Sequence, residues 1–184
     1  MTSGQPGNVD QPIRDFSDCH VGIVGTLNEL TALSRQSTGP SPERSACAGR
    51  ILTFFRDVVA THHTEEEKDL FPAILADATA GAEQAKVDRL VRQLVDEHRS
   101  LESLYARLAP ALAAIADGQD VCLDPTTSAV LVADYLAHAG FEEAQFLPLA
   151  QQILGRNSDH MAALGLSLHI RHASLEVRRK FGII

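Results

Sequence analysis

Apolar residues recur at intervals of three and four along most of this chain, the spacing that places them on one face of an α-helix. In the first such segment Ile23, Leu27 and Leu30 share a face, and His20 lies on the same face. Breaks rich in Gly and Pro separate the segments. The pattern predicts four long helices, which cover residues 13–35, 42–80, 83–116 and 125–154.

Two of the predicted helices begin with the same local signal. Ser41-Pro42 and Asp124-Pro125 each supply a capping side chain followed by proline at the first helical position, where its missing N–H costs nothing. Pro72 lies inside the second helix, and we expect it to kink that helix or to end its regular part.

The connections between the helices are short, which implies that successive helices are antiparallel neighbours. We therefore predict an all-α fold, an up-down-up-down four-helix bundle over residues 13–155. Ser158 or Asp159 can cap a fifth helix that ends near Lys180, and we expect residues 158–184 to pack on the bundle. Residues 1–12 are polar with Gly and Pro, and we expect a disordered lead.

Composition excludes several classes of function. The net charge of −8 argues against a nucleic-acid partner. No apolar run approaches the roughly 18–20 residues that a membrane span needs, and the first residues lack the apolar segment of a signal peptide. Cys19, Cys47 and Cys122 are odd in number and widely spaced, which favours the reducing cytoplasm over a disulfide framework or a thiolate metal site.

A histidine and glutamate pattern occurs twice in the chain. Residues 62–72 read HHTEEEKDLFP and residues 138–148 read HAGFEEAQFLP, so that His62 aligns with His138 and Glu66 with Glu142. A histidine four residues before a glutamate lies on the same helical face, about one turn away. His98 lies in the apolar face of the third helix much as His20 lies in that of the first, so the chain resembles a duplicated helical hairpin.

The positions of the four histidines predict that they share one layer. In an antiparallel bundle, two residues equidistant from a turn lie at the same height. The midpoints between successive histidines are residue 41, residue 80 and Gly118, and all three fall at the breaks indicated by Gly and Pro. We therefore expect four inward-facing imidazoles at one depth, contributed by these residues: His20, His62, His98 and His138.

Glu66 and Glu142 would lie about 6 Å from that layer, in the same direction, because their helices run parallel. Buried imidazoles and carboxylates without partners are costly, and cations between them would remove the cost. Imidazole with carboxylate and no thiolate suits iron, manganese or zinc. Two carboxylates able to bridge, with imidazoles on either side, suit a pair of ions better than one.

At these residues the chain resembles the hemerythrin-like (HHE cation-binding) family over roughly residues 13–154. The resemblance rests on His20, on the signature at 62–72, on Glu97-His98 and on His138 with Glu142. It implies two iron ions joined by an oxo or hydroxo bridge, with O₂, peroxide or nitric oxide as the small ligand. By the same likeness the four histidines would be terminal ligands, and Glu66 and Glu142 would bridge.

The chain also departs from the hemerythrins that carry O₂. Those have two histidines in the third helix and an aspartate in the fourth, whereas this chain offers only His98 and, at a different spacing, Glu142. One ion would then take another ligand or water, and Glu102 and Glu29 are candidates. The Glu-x-x-His order of ferritin-like di-iron bundles is absent from the repeated pattern.

Other polar residues near the pattern receive plainer interpretations. We expect His63 to lie outside the site, because it is about 100° off the face of His62. We expect a solvated acidic face from Glu65, Glu67 and Glu143. Tyr135 is a candidate second-shell residue that could hydrogen-bond a bound ligand, with plain packing as the alternative.

Three hypotheses for function remain open at this point. The first is a cytoplasmic di-iron protein that engages O₂, peroxide or nitric oxide as carrier, sensor or scavenger. The second is an oxidase or peroxidase-like enzyme at the same metals. The third is a helical interaction module with a structural metal, docking a protein partner through the fifth helix, whose His169 and His172 flank an apolar stripe and whose basic end is Arg178–Lys180.

Overall fold

The computed structural model of the chain describes residues 11–36, 39–157 and 159–166, and this part is helical with no strand. The all-α prediction is confirmed. The helices have the following bounds: α1, Gln11–Ser34; α2, residues 42–77; α3, Ala82–Ala116; α4, residues 125–154; α5, residues 159–166 as far as it is described. No helix in these residues is both long and apolar enough to cross a membrane.

Side-chain caps start two of the helices where the sequence predicts them. The Ser41 hydroxyl accepts a hydrogen bond from the backbone N–H of Arg44 at 3.1 Å. The Asp124 carboxylate accepts from the backbone N–H of Thr127 at 3.0 Å. These bonds satisfy N–H groups that have no partner within their own helix.

Two of the connections each contain a glycine in a conformation that other residues rarely adopt. Gly81 has φ 106° and Gly118 has φ 80°, both in the left-handed region. They lie at the turns that join α2 to α3 and α3 to α4. These turns therefore lie beside residue 80 and at Gly118, two of the midpoints between successive histidines.

Pro72 does not end α2, which continues to Asp77. A π-helical turn, Glu66–Leu70, comes just before it, closed by the Phe71 N–H bonding to the Glu66 carbonyl. Proline in a regular helix clashes with the carbonyl four residues earlier, and a wider turn relieves that clash. The same turn, Glu142–Phe146, precedes Pro148 in α4.

The core divides into two apolar clusters with the polar layer between them. One cluster joins the starts of α1 and α3 to the ends of α2 and α4, through residues such as Phe16, Leu94, Phe71 and Phe146. The other joins the opposite ends of the same helices, through residues such as Leu27, Leu108, Ile51 and Leu131. Successive helices therefore run antiparallel.

The described start of α5 packs on the first of these clusters. Met161 and Leu164 are 1% and 4% exposed there. The Asn157 side chain accepts from the N–H groups of Asp159 and His160, so it precedes the predicted capping pair by one or two positions. The predicted roles of His169, His172 and the basic end fall outside the described residues, as does nearly all of the predicted lead.

Candidate metal centre

The six predicted ligand residues meet in one layer between the two apolar clusters. Their exposed fractions run from 0% to 5%. They come from all four helices of the bundle: His20, His62, Glu66, His98, His138 and Glu142. The four histidines therefore share one depth, as the loop midpoints predict, and the Glu66 and Glu142 side chains reach that layer from one turn further along their helices.

The imidazoles form two pairs on opposite sides of the two carboxylates. Nε2 of His20 and Nε2 of His62 lie 3.2 Å apart, while the rings of His98 and His138 have centroids 5.0 Å apart. Glu66 lies between the pairs, with Oε1 3.4 Å from His62 Nε2 and Oε2 3.3 Å from His98 Nε2.

Glu142 occupies the equivalent position. Its Oε2 lies 3.0 Å from Nε2 of His20 and 3.7 Å from Nε2 of His138. Each carboxylate thus contacts one imidazole of each pair. His20, His62, Glu66 and Glu142 each offer a ligand atom within 4.8 Å of the others.

Most of the inner polar atoms lack hydrogen-bond partners in the described part of the chain. Both carboxylate oxygens of Glu66 and of Glu142 have no hydrogen-bond partner in the described part of the chain, and the same holds for Nε2 of His98 and of His138. Burial raises the pKa of Glu66 well above its ordinary value, and the neighbouring Glu142 carboxylate raises it further. Buried anions of this kind need a compensating cation, so the donor set fits metal ions.

An outer ring of carboxylates holds three of the four imidazoles. Nδ1–H of His20 donates to Glu143 at 2.7 Å, and that of His98 donates to Glu67 at 2.9 Å. Nδ1–H of His138 donates to Glu97 at 2.9 Å. A carboxylate only accepts, so each of these rings carries a proton on Nδ1 and turns Nε2 toward the centre.

Charges around His20 change its protonation. Burial lowers its pKa, but the Glu142 and Glu143 carboxylates outweigh burial and raise that pKa to about 9. The opposite holds for His62, whose pKa burial and the neighbouring imidazoles lower well below the ordinary value. Nδ1 of His62 has no hydrogen-bond partner among the described residues.

The expectation of a solvated acidic face holds for Glu143, whose side chain is 42% exposed, but is wrong for Glu65. Glu65 is buried at 4% exposure, and Glu67 and Glu143 bond imidazoles of neighbouring helices. The sequence carried a signal for the last two, since each directly follows an inner glutamate at the same place in the repeat. Cys19 occupies in the first hairpin the position that Glu97 occupies in the second. A cysteine has no carboxylate to offer His62 there.

The expectation that His63 lies outside the site is also wrong. His63 is 2% exposed and its ring stacks on His98, with centroids 3.9 Å apart and planes 4° apart. Its Nδ1 faces the Glu102 carboxylate at 3.4 Å; because a carboxylate only accepts, Nδ1 carries the proton and Nε2 accepts from the Tyr135 hydroxyl at 2.9 Å. A one-residue step along a helix does not leave the core when neighbouring helices lie on both sides.

His63, His98 and His138 each offer a nitrogen within 4.8 Å of the others. Parallel rings 3.9 Å apart cannot both direct an in-plane lone pair at one ion, and Nε2 of His63 already accepts a hydrogen bond. His63 therefore supports the centre from its edge, together with Tyr135. Tyr135 is fully buried, as either of its predicted roles requires.

The two further ligand candidates lie away from the inner pairs. Glu102 bonds the Arg99 guanidinium at 3.0 Å as well as facing His63. Glu29 pairs with Arg50 at 3.3 Å and with the Cys47 thiol. Neither carboxylate contacts the four inward imidazoles in the contacts given by the structure.

Histidines and glutamates that meet in the core of a helical bundle are typical of helical proteins that bind cations there. The family model of the hemerythrin HHE cation binding domain matches residues 11–150. The chain belongs to the hemerythrin HHE cation-binding family. No curated protein and no solved structure matches it significantly.

Proposed function

We propose that the chain is a non-haem di-iron protein that engages O₂ or a related small molecule, peroxide or nitric oxide, as carrier, sensor or scavenger. The observation that supports this proposal is the position of Glu66 and Glu142. Each carboxylate lies between two imidazole pairs, with oxygens that accept no hydrogen bond from the described residues. Two pairs with two shared carboxylates suit two ions.

The spacing of one pair fits a single ion. Two ligands at right angles, each about 2.1 Å from a metal ion, are about 3 Å apart. The 3.2 Å between Nε2 of His20 and Nε2 of His62 is close to that value. In our proposal His20 and His62 hold one ion, His98 and His138 hold the other, and Glu66 and Glu142 bridge them.

The donor set supports iron as the metal. Imidazole with carboxylate suits iron, manganese and zinc, and the inner set contains no thiolate. Two imidazoles and two carboxylate oxygens leave further positions open at a six-coordinate iron. A bound iron pair would supply an exchangeable position for a small ligand and the capacity to change redox state.

The chain's own residues prepare the site. Glu143, Glu67 and Glu97 accept the Nδ1–H of three imidazoles, so that the Nε2 atoms of these rings face inward, where they can act as ligands. The apolar clusters above and below restrict water. Three free cysteines support our proposal that the protein works in the reducing cytoplasm.

The proposal is tested by loading the protein with Fe(II) under anaerobic conditions and then admitting air. We expect about two irons per chain and near-ultraviolet charge-transfer bands. The double variant Glu66→Gln, Glu142→Gln should lose both, while Glu43→Gln, at an exposed position in the first turn of α2, should behave like wild type.

A colourless protein that holds no iron would contradict the proposal. If zinc or manganese filled the site and iron did not bind, the proposed metal would be wrong and the proposed ligand residues would stand.

A further inference from the structure

A cavity of about 510 Å³ lies beside the histidine layer, between α2 and α3. We propose that it binds a small, uncharged aromatic molecule that carries a hydroxyl group. Its volume falls within the range of small-molecule sites and far exceeds what a diatomic ligand fills. The proposal requires no metal at the neighbouring centre, so it does not depend on the proposed di-iron function.

The walls of the cavity are apolar and partly flat. Val59 and Leu101 contribute aliphatic surface. Phe55 and Tyr105 stack face to face, with centroids 4.3 Å apart and planes 4° apart. A planar ring can extend such a stack, and this favours an aromatic ligand over a branched aliphatic one.

A π-helical turn forms one side of the cavity. Residues Phe55–Val59 take the wider turn, closed by the Ala60 N–H bonding to the Phe55 carbonyl. The two other π turns described end just before Pro72 and Pro148, whereas residues 60–71 after this one contain no proline. Isolated π turns occur often at functional sites, and this one places Phe55 and Val59 together in the cavity wall.

The charges at the cavity are already compensated. Nε of Arg56 bonds the Asp57 carboxylate at 2.7 Å and its Nη2 bonds the other oxygen at 3.2 Å. The Glu102 carboxylate accepts from Arg99 at 3.0 Å. A charged ligand would have to displace one of these pairs, so an uncharged ligand fits better.

Glu102, an exposed polar residue of the lining, selects a hydroxyl group. Its carboxylate faces Nδ1 of the buried His63 at 3.4 Å, a long hydrogen-bonding distance, so it can still accept a shorter bond. A ligand hydroxyl supplies that donor, which a bare hydrocarbon lacks, and a ligand carboxylate would be repelled there.

The test uses 2-naphthol, a fluorescent aromatic alcohol, titrated into the full-length chain with and without metal. We expect saturable binding at one site per chain in both preparations. Naphthalene and 2-naphthoate, matched in shape, should each bind at least about fivefold more weakly. Failure to load iron would contradict the proposed function and leave this result unaffected.

Two variants locate the binding. Ala60 is an exposed residue in the cavity lining, so Ala60→Phe blocks the cavity without entering the core and should weaken 2-naphthol binding about tenfold or more. Ala129→Phe, at an exposed position on α4 outside the lining, is the matched control and should bind as wild type. Glu102→Ala should remove the preference for 2-naphthol over naphthalene.

No saturable binding of 2-naphthol would overturn the proposal. Equal binding by the Ala60→Phe variant, with the circular dichroism of wild type, would do the same. Naphthalene or 2-naphthoate binding as tightly as 2-naphthol would overturn the assigned ligand class.

Discussion

At the scale of single residues, the hydrogen-bond partner of Nδ1 determines the direction in which Nε2 of each imidazole points. Glu143, Glu67 and Glu97 accept from Nδ1 of three different histidines. Two of these bonds come from the residue after an inner glutamate and reach across to a neighbouring helix. The repeated Glu-Glu step therefore supplies one inner and one outer carboxylate in each hairpin.

We predict that Glu143→Gln weakens metal binding by about 10- to 100-fold, the usual effect of removing an outer partner of a metal-binding histidine. The amide keeps the shape but loses the charge that holds the Nδ1 proton of His20. Competition against a chromophoric chelator measures the affinity. Glu43→Gln serves as the control, and an unchanged affinity in Glu143→Gln would show that the outer bond does not support the metals.

The sequence predicted the inner six residues because spacing and loop midpoints depend on helix geometry alone. It did not predict the outer contacts, since these depend on how each helix is rotated against its neighbours. His63 shows the limit most clearly. A step of about 100° from His62 was expected to leave the site, but the packing of α3 and α4 buries that face as well.

At the scale of elements, each helix begins, turns or widens for a local reason. Proline and a capping side chain start α2 and α4, and glycines with positive φ form the turns on either side of α3. These signals are local, so the sequence predicted the four helices closely. The π turns were not predicted. The clash of Pro72 with the carbonyl four residues earlier can be relieved either by a wider turn or by ending the helix, and the sequence alone does not distinguish the two.

Gly118→Ala should destabilise the fold by about 1 kcal/mol, because alanine at φ 80° is strained. Gly49→Ala is the matched control inside α2, where an added Cβ meets nothing within 4 Å. It should stabilise the protein by about 0.5–1 kcal/mol through helix propensity. Urea unfolding measures both, and equal shifts for the two variants would contradict the assigned turn conformation.

An ion pair ties the first turn of α3 to the residues that follow α4. Arg156 bonds the Glu83 carboxylate at 2.7 and 2.8 Å, and that contact, with hydrogen bonds from Thr79, lowers the pKa of Glu83 to about 2. A lowered carboxyl pKa contributes stability above the ordinary value near 4.5 and loses it as the pH falls toward 2.

Arg156→Gln should therefore lower the urea midpoint slightly at about pH 6, and its difference from wild type should shrink at about pH 3. Arg92→Gln, an exposed arginine on α3, is the control and should show no such dependence. A difference that grows as the pH falls would have the wrong sign for this pair.

At the scale of the whole molecule, the polar layer interrupts the core between two apolar clusters. Such a layer weakens the fold by itself, because its carboxylates repel each other and lack hydrogen-bond partners in the described residues. The bundle architecture followed from short connections and the family resemblance. The described start of α5 packs on one cluster, and its remainder lies outside the described residues.

Metal binding should therefore stabilise the whole fold. At a free metal concentration of about 100 times Kd, the gain is about 2.7 kcal/mol, which in a chain of this size raises Tm by roughly 5–10 °C. Calorimetry of the loaded protein against the same protein with chelator checks this. Identical Tm values in a preparation that binds metal would contradict the coupling.

The most direct test is anomalous diffraction at the iron edge from crystals of the iron-loaded protein. The account predicts two peaks about 3–4 Å apart, one beside His20 and His62 and the other beside His98 and His138, with Glu66 and Glu142 contacting both. A single peak, or peaks elsewhere in the molecule, would contradict it.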